Sequence, residues 1–436
     1  MSTLYRAKYV LPMTDAGVIE NGEVLVEDGR IQQVGQGIAA SCPGVCVRDL
    51  GAVVLMPGFV NAHSHVEYTL SRNTYDGLSF WDWIESVGFR RDKTPSREVM
   101  LASARLGVEL CASSGITCLG DCSYSGIAAE AMDMTGVRGI VYKELFGQSM
   151  GDDYAARFAT VLDQISELQS RVSERIRVGL SPHTVYTTGA DVLRLCANTC
   201  AELGVPVALH LAETRAEEDY TTSGTGPIAD LRRRQGYEPM VSGVRSTQVL
   251  ERAGLLRPGV SLAHCVQLPG EDIEMIRASG AGVVHCPRSN AYLGSGIFPM
   301  TAFREAGVSL GLGTDSAASC LTLDFFEEMR FALALHRAQT EDAGALLAKD
   351  VLEMATAGGA AALGIADVGR LEPGMRADMI AVDVSDMLPG EDIHLAVLSR
   401  TPSDVRLVVV DGVSVDMDVE ARTRELRELM ERSDIA

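Results

Sequence analysis

The chain has 436 residues, 46% of them hydrophobic and 5% aromatic, so it can bury a substantial core and is not a disordered chain. Its 59 acidic and 38 basic residues give a net charge of −21. So acidic a surface repels phosphate backbones and anionic lipid, which argues against nucleic acid and membranes as partners. The ten cysteines form no Cys-x-x-Cys pair, and the sequence has no signal-peptide or membrane-span pattern, so we expect a cytoplasmic protein with reduced thiols.

Both ends of the sequence have the pattern of short β-strands joined by tight turns. Asp28-Gly29 and Asp411-Gly412 each separate two apolar runs, which is typical of hairpins. We therefore predict that residues 1–56 and 365–436 together form one small β-sandwich domain.

The middle of the sequence, residues 57–364, alternates apolar strand-like runs with helical patterns, for example at 96–113, 155–173, 190–203 and 324–338. This alternation predicts parallel βα units, and eight such units predict a (β/α)8 TIM-type barrel. Barrel enzymes place their chemistry at the carboxyl ends of the strands. The predicted strands end near His63, Asp121, Glu144, His183, His210, His264, His285 and Asp315.

The end of the first barrel strand carries the most informative motif, His63-Ser64-His65. Side chains two positions apart on a strand point the same way, so both imidazoles can bind one ion. A chance pair on a surface strand is the alternative. Further candidate ligands, His210 and Asp315, follow other predicted strands, and three histidines with one carboxylate leave room for a water, as catalytic metal sites require.

Two more residues at these strand ends suit catalysis. Glu213 lies three residues beyond His210 and could shuttle protons as a general acid and base. His264 could polarise the group under attack, and Asp315 could also accept a proton from the water. Each of these residues alone could be a satisfied structural group. Their joint occurrence at separate strand ends favours a site.

These motifs resemble those of the amidohydrolase superfamily, and the resemblance covers nearly the whole chain. It rests on Pro57-Gly58-Phe59-Val60-Asn61-Ala62-His63-Ser64-His65, His210-Leu211-Ala212-Glu213, His264-Cys265, Gly313-Thr314-Asp315-Ser316 and Gly374-Met375-Arg376-Ala377-Asp378. The resemblance implies that His63, His65, His210 and Asp315 bind one divalent metal ion. It implies that Glu213 and His264 serve the activated water and the substrate. Zinc is the expected metal and iron(II) the alternative.

The absence of one lysine indicates how many metal ions the predicted site binds. Binuclear members of the superfamily commonly carry a bridging lysine after the fourth strand, and here that strand ends Ser181-Pro182-His183 without one. The resemblance therefore implies a mononuclear site, a subtype rich in deaminases. Lys143, one strand earlier, is interpreted as structural or substrate-facing.

Substrate contacts are predicted from resemblance to aminopurine deaminases. His183 occupies the place of a substrate-contacting histidine, and residues 80–84 resemble an aromatic loop of S-adenosylhomocysteine deaminases. Trp83 or Trp81 could stack on a purine, while the other packs in the barrel wall. Asp92 stands where related S-adenosylhomocysteine deaminases have a ribose-binding glutamate. Residues 285–296 resemble aminofutalosine deaminases of menaquinone synthesis, whose benzoate-bearing substrate suggests Arg288 as a carboxylate partner. A structural salt bridge is the alternative for Arg288.

The expected function is hydrolytic deamination of an aminopurine, with aminofutalosine as first choice. The alternatives are deamination of S-adenosylhomocysteine, methylthioadenosine, adenosine or guanine, a triazine-type or amide hydrolase with the same metal site, and a catalytically silent scaffold. Barrels of this kind often pair, so the resemblance allows a homodimer. Residues 216–253 either cap the pocket or lie on the surface.

Overall fold

The computed structural model describes residues 2–88, 95–433 and 435. The N-terminal part forms five strands: β1 (Ser2–Val10), β2 (Ile19–Glu27), β3 (Arg30–Gly35), β4 (Cys46–Asp49) and β5 (Val53–Pro57). The predicted hairpin joins β2 to β3, with Glu27 paired to Arg30. Both turn residues, Asp28 and Gly29, have positive φ (47° and 78°), as a two-residue hairpin turn of this kind requires.

The middle of the chain forms a closed barrel of eight parallel strands, and this confirms the predicted fold class. Its strands are β6 (Phe59–Ser64), β7 (Ile116–Ser123), β8 (Arg138–Leu145), β9 (Ile176–Pro182), β10 (Val207–Leu211), β11 (Val260–His264), β12 (Gly282–His285) and β13 (Leu310–Leu312). Almost every strand residue is buried, because helices cover the outside and side chains fill the inside. The strands therefore end close to the polar residues at which the sequence predicts them to end.

The C-terminal part adds three strands to the N-terminal ones. They are β14 (Met379–Asp383), β15 (Val405–Val410) and β16 (Val413–Ser414). All eight strands from the two chain ends form one mixed, mostly antiparallel sheet beside the barrel, in which β14 pairs with β5. Asp411 and Gly412 form the second predicted hairpin turn, again with positive φ at both positions.

Helices surround the barrel and line its mouth. The α-helices are α1 (Ile38–Ser41), α2 (Phe80–Gly88), α3 (Arg97–Ser113), α4 (Ile127–Thr135), α5 (Tyr154–Arg171), α6 (Val185–Thr188), α7 (Ala190–Leu203), α8 (Arg215–Ser223), α9 (Gly226–Arg234), α10 (Ser246–Ala253), α11 (Gly270–Ser279), α12 (Pro287–Tyr292), α13 (Met300–Ala306), α14 (Ala317–Cys320), α15 (Phe325–Thr340), α16 (Ala348–Glu353), α17 (Gly359–Ala362), α18 (Ile393–Leu398) and α19 (Val419–Arg432). Short 3-10 turns span Val66–Ser71, Gly147–Asp153 and Pro402–Asp404, and a π turn spans Met354–Gly358.

Two of the longer helices, α3 and α15, begin at residues whose side chains cap them. The Ser96 hydroxyl accepts from the Val99 amide at the start of α3. The Asp324 carboxylate accepts from the Phe326 and Glu327 amides at the start of α15. Such caps satisfy donors that the first turn of a helix leaves free. Within the described part of the chain, no helix is both long and apolar enough to cross a membrane.

Candidate active site

Closure of the barrel brings the predicted metal ligands together. Asn61 on β6 bonds both the amide and the hydroxyl of Thr314 beyond β13, at 3.0 and 2.8 Å. The Asp315 amide donates to the His63 carbonyl at 3.0 Å. These bonds join the first and last barrel strands and hold the Asp315 carboxylate beside both histidines of the His-x-His motif.

Three imidazoles and one carboxylate converge on a single point inside the mouth of the barrel. Asp315 Oδ1 lies 3.9 Å from His63 Nε2 and 3.7 Å from His65 Nε2. His65 Nε2 lies 3.2 Å from His210 Nε2. All four side chains are buried. The structure therefore places the four predicted ligands in one cluster.

The surrounding groups leave the lone pairs of this cluster facing inward. His210 Nδ1 lies 3.0 Å from the His183 carbonyl, to which only a protonated nitrogen can donate, so Nε2 keeps its lone pair. His63 Nε2 is buried without a hydrogen-bond partner. Ser289 and Ser319 donate to Asp315 Oδ2 at 2.5 and 3.0 Å and leave Oδ1 for the cluster. This donor set fits a divalent metal ion, since buried polar atoms are rarely left unbonded.

Charges in the cluster reinforce this donor set. Burial works against ionisation of Asp315, but the neighbouring His65, His264 and His63 lower its pKa to about 2. Burial, together with the nearby imidazoles, holds the pKa of His210 well below its usual range. A carboxylate with neutral imidazoles is the protonation state that metal binding requires.

The backbone turns sharply where it presents these side chains. Ala212, His264 and Asp315 have φ values of 47°, 72° and 61°, in the left-handed region that non-glycine residues rarely adopt. Each such conformation costs on the order of 1–3 kcal/mol and persists where the surrounding structure enforces it. The strain therefore concentrates at the strand ends that carry the candidate chemistry.

Glu213 and His264 form a pair beside the cluster. His264 Nδ1 lies 3.7 Å from Glu213 Oε1, and it lies 2.9 Å from the side-chain oxygen of Asn290. Burial raises the pKa of Glu213 to about 7, although His264 acts in the opposite direction. A carboxyl group that titrates near neutrality is suited to both accepting and donating a proton.

The site also uses residues that the sequence reasoning missed. Asn61 and Asn290 orient ligating and catalytic side chains as described above. Asp121 accepts from the Ser64 hydroxyl and the Val66 amide, both at 2.8 Å, and so fixes the backbone on either side of His65. A buried Glu144 lies within ligand distance of His65 and His210. Asp121 and Glu144 mark strand ends in the sequence, but nothing in the sequence indicates their partners.

A cavity opens above the cluster, with about 1020 Å³ of empty space including its mouth. Aromatic side chains dominate its outer wall, and acids and histidines form its floor. Its lining includes Tyr68, Phe80, Trp81, Trp83, Phe146, Tyr186, Glu144, His183, Glu213, His264 and Asp315.

Two of the predicted substrate contacts lie in this wall. Trp83 reaches the cavity from α2 and donates its indole N–H to the Ala318 carbonyl at 3.3 Å. His183 bonds Thr187 through Nδ1 at 2.9 Å, and burial lowers its pKa to about 3, so its imidazole is neutral. Both side chains are therefore available to an uncharged ring system. Asp92 lies outside the described residues.

Arg288 forms structural salt bridges, which is the alternative role that the sequence left open. Its guanidinium is buried and bonds Glu328 at 2.6 Å, Glu327 at 2.6 Å and Thr322 at 2.8 Å. It does not line the cavity. The prediction that Arg288 binds the substrate carboxylate is therefore corrected: its donors are engaged by the chain's own acids, which hold α12 against α15.

Residues 216–253 belong to the cavity wall in part. Leu231 and Arg232 of α9 and the following Gln235 line the cavity, and α9 contacts α2. The structure thus favours the capping role over the surface role. Lys143 lies outside the lining and donates to the Tyr124 carbonyl, which fits its structural interpretation.

Comparison with known proteins agrees with this geometry. Residues 54–415 match the model of the amidohydrolase family. A protein of Nitratidesulfovibrio vulgaris named 5-methylthioadenosine/S-adenosylhomocysteine deaminase is 35% identical over 426 residues, which span 95% of this chain and 92% of the relative. A protein of the same name from Natronomonas pharaonis is 34% identical over 94% and 92% of the two chains.

Solved structures show the same relationship. A zinc-bound adenosine deaminase from Xanthomonas campestris superposes with a TM-score of 0.85 at 29% identity, over 100% of this chain and 99% of the other. An aminofutalosine deaminase from Helicobacter pylori has a TM-score of 0.83 at 22% identity, over 95% and 100%, and shares the fold. The chain belongs to the amidohydrolase family. It is a metal-dependent hydrolase that acts on carbon–nitrogen bonds.

The position of Arg288 generates a prediction about stability. Replacing Arg288 with Met leaves the buried Glu328 without its partner, so we expect the free energy of unfolding to fall by about 3–5 kcal/mol. Urea denaturation measures this change. The substrate KM of the folded fraction should stay within about twofold, because the side chain does not reach the cavity. A raised KM with unchanged stability would contradict the structural role.

Proposed function

We propose that this chain is a mononuclear deaminase that replaces the 6-amino group of an aminopurine nucleoside with oxygen and releases ammonia. The observation that carries the proposal is the Glu213–His264 pair, set beside the convergent histidine–aspartate cluster at the floor of an aromatic cavity. The names of the relatives, which are deaminases of adenosine-type nucleosides, support it.

We assign His63, His65, His210 and Asp315 as the metal ligands, with zinc as the expected ion and iron(II) as the alternative. A divalent ion held there would supply Lewis acidity that lowers the pKa of water toward neutrality. The described part of β9 and its end carry no lysine, in agreement with a single ion. Glu144 does not bridge in this scheme, since burial raises its pKa to about 8.

Glu213 carries the proton transfer. It accepts a proton from the attacking water and delivers it to the adjacent ring nitrogen, N1, as the water oxygen bonds to C6. The C6–N bond then breaks, and the second water proton leaves with the amine as ammonia. A pKa near 7 lets Glu213 take both roles without a large energetic cost.

The other residues orient the reactants. His264, fixed by Asn290, stabilises negative charge as it develops on the attacking oxygen. Asp315 orients the water from its ligand position. Trp83 and the neutral His183 contact the purine from the cavity wall, where an uncharged ring avoids the cost of burying an ion.

The substrate is proposed to be a 6-aminopurine nucleoside with an extended 5′ substituent. Aminofutalosine is the first candidate, because residues 285–296 resemble those of aminofutalosine deaminases. S-adenosylhomocysteine and methylthioadenosine are the second, because the relatives bear those names. A hydrolase of triazines or amides would use the same cluster without needing an aminopurine.

The substrate class is tested by ammonia release from metal-loaded protein with aminofutalosine, S-adenosylhomocysteine, methylthioadenosine, adenosine and guanine. We expect the first two to have the highest kcat/KM and guanine the lowest. Equal, weak rates on all five would contradict the assignment to extended nucleosides. Turnover of a triazine or amide with none of the five would contradict the deaminase itself.

The role of Glu213 is tested by the substitution Glu213→Gln, which keeps the shape of the side chain but removes its basicity. We expect kcat to fall by about 10²–10⁴-fold, with metal content unchanged by elemental analysis. Glu218→Gln, on the exposed face of α8, is the matched control and should retain full activity. Undiminished turnover by the Glu213 variant would exclude the proton-transfer role.

The ligand set is tested by measuring the metal content of His210→Ala. We expect about one ion per chain in the parent protein and a loss of most of it in the variant, because one of four ligands is removed. His394→Ala changes a histidine outside the cluster and should leave the content unchanged. Two ions per parent chain, or full occupancy in the His210 variant, would contradict the mononuclear site.

A further inference from the structure

A buried arginine in the cavity wall has no acidic partner among the described residues. Arg232 lies on α9, which contacts the aromatic helix α2 beside the cavity, and its relative exposure is 7%. Its Nε donates to the Gln148 side-chain oxygen at 2.7 Å, and Nη1 donates to that of Gln235 at 2.7 Å. Its guanidinium lies over the Tyr237 ring, 4.4 Å from the centroid.

Other buried arginines of this chain are neutralised. Arg138 bonds Asp378 at 2.7 Å, and Arg288 bonds Glu328 at 2.6 Å. Buried charges are normally paired, because an unpaired ion loses its hydration without compensation. A chain with 59 acidic residues has ample means to pair Arg232. Its partners Gln148 and Gln235, here called the cradle, are uncharged. The missing counter-charge therefore points to an anionic group on a bound ligand.

The cradle of Gln148 and Gln235 holds the Arg232 guanidinium but leaves some of its N–H groups available. Contacts from Nε, Nη1 and Nη2 to the oxygens of Gln148 and Gln235 engage three of the five N–H groups. Two N–H groups remain, and a planar guanidinium can present such a pair to a carboxylate in two parallel hydrogen bonds. The Gln148 amide is itself anchored on the Glu238 carbonyl at 2.9 Å, so the cradle is fixed before any ligand binds.

We infer that Arg232 binds a carboxylate on the 5′ substituent of the nucleoside. This inference rests on the proposed function and deepens it, because it selects substrates with an acidic tail. Arg232 is the only lysine or arginine in the lining that the structure describes. One cation balances one negative charge, which favours a carboxylate over a doubly charged phosphate.

The remaining wall fits the link between purine and carboxylate. Trp81, Tyr186 and Leu231 line the cavity near the arginine. Trp81 packs edge-on against Tyr186 with ring centroids 5.9 Å apart. A thioether chain or an aromatic ring in the tail would bury apolar surface against these side chains. Two sources share this chemistry: an amino-acid carboxylate, as in S-adenosylhomocysteine, and an aryl carboxylate, as in aminofutalosine.

The test compares Arg232→Gln with the parent on matched substrate pairs. S-adenosylhomocysteine is paired with methylthioadenosine, which lacks the amino-acid group, and aminofutalosine is paired with its methyl ester. For Arg232→Gln, we expect kcat/KM on the carboxylate-bearing substrate that the cavity binds to fall about 10- to 100-fold, mostly through a higher KM. The reason is the loss of charge-assisted hydrogen bonds. Rates on methylthioadenosine and the ester should stay within twofold, which also shows that the variant is folded.

Two further variants separate charge from structure. Arg232→Lys keeps the charge but not the planar guanidinium. Its kcat/KM on the carboxylate-bearing substrate should lie between the values of the parent and of Arg232→Gln. Arg233→Gln removes the same charge from an exposed neighbour on α9 and should leave every rate unchanged. In one of the two substrate pairs, Arg232→Gln should lower kcat/KM more on the charged member than on the neutral one. That pair identifies which tail, amino-acid or aryl, the arginine binds.

Other outcomes would overturn the inference. Equal losses on charged and neutral substrates would show a structural role for Arg232, and unchanged rates would show no role. Preference of the parent for adenosine monophosphate would replace the carboxylate with a phosphate. No ammonia from any nucleoside would contradict the proposed function itself, whereas turnover of methylthioadenosine with an unaffected Arg232 variant would contradict this inference alone.

Discussion

Everything at the active site depends on the closure of the barrel between β6 and β13. Asn61 and Thr314, 253 positions apart in the sequence, bond each other twice across this seam. The seam is short, with one paired position between the two strands, so these side-chain bonds replace part of the missing backbone ladder. Because His63 and Asp315 follow the two residues that form it, the same contact that closes the fold also assembles the candidate metal site.

The cluster of His63, His65, His210 and Asp315 destabilises the fold, and hydrogen bonds from the surrounding residues offset part of this effect. Asp315, His264 and Ala212, at three strand ends, adopt left-handed backbone, and an ionised carboxylate is buried with several imidazoles. Serine hydroxyls bond the outer oxygen of Asp315, a backbone carbonyl accepts from Nδ1 of His210, and Asp121 fixes the backbone on either side of His65. An arrangement that bonds the outer atoms of Asp315 and His210 and leaves His63 Nε2 unbonded beside Asp315 Oδ1 is suited to an ion.

Much of this could be predicted from the sequence, and the physical reason is clear. Buried parallel strands are continuous apolar runs, so a polar residue such as His210 or His264 marks the strand end and also the catalytic rim. The turns at Asp28 and Asp411 were predictable because few residues tolerate their backbone angles. Asn290 and Arg288 were not, because the role of a polar side chain depends on which partner the tertiary fold brings to it.

Two of the buried arginines, Arg288 and Arg232, illustrate that limit. Arg288 sits in the motif that suggested a carboxylate ligand, yet Glu327 and Glu328 already supply its carboxylates. Arg232 sits in a segment without a recognisable motif, and its partners are amide oxygens and an aromatic ring. Residue type and burial are the same for both. What differs is the counter-charge, and the proposal that Arg232 binds the carboxylate of the substrate rests on that difference.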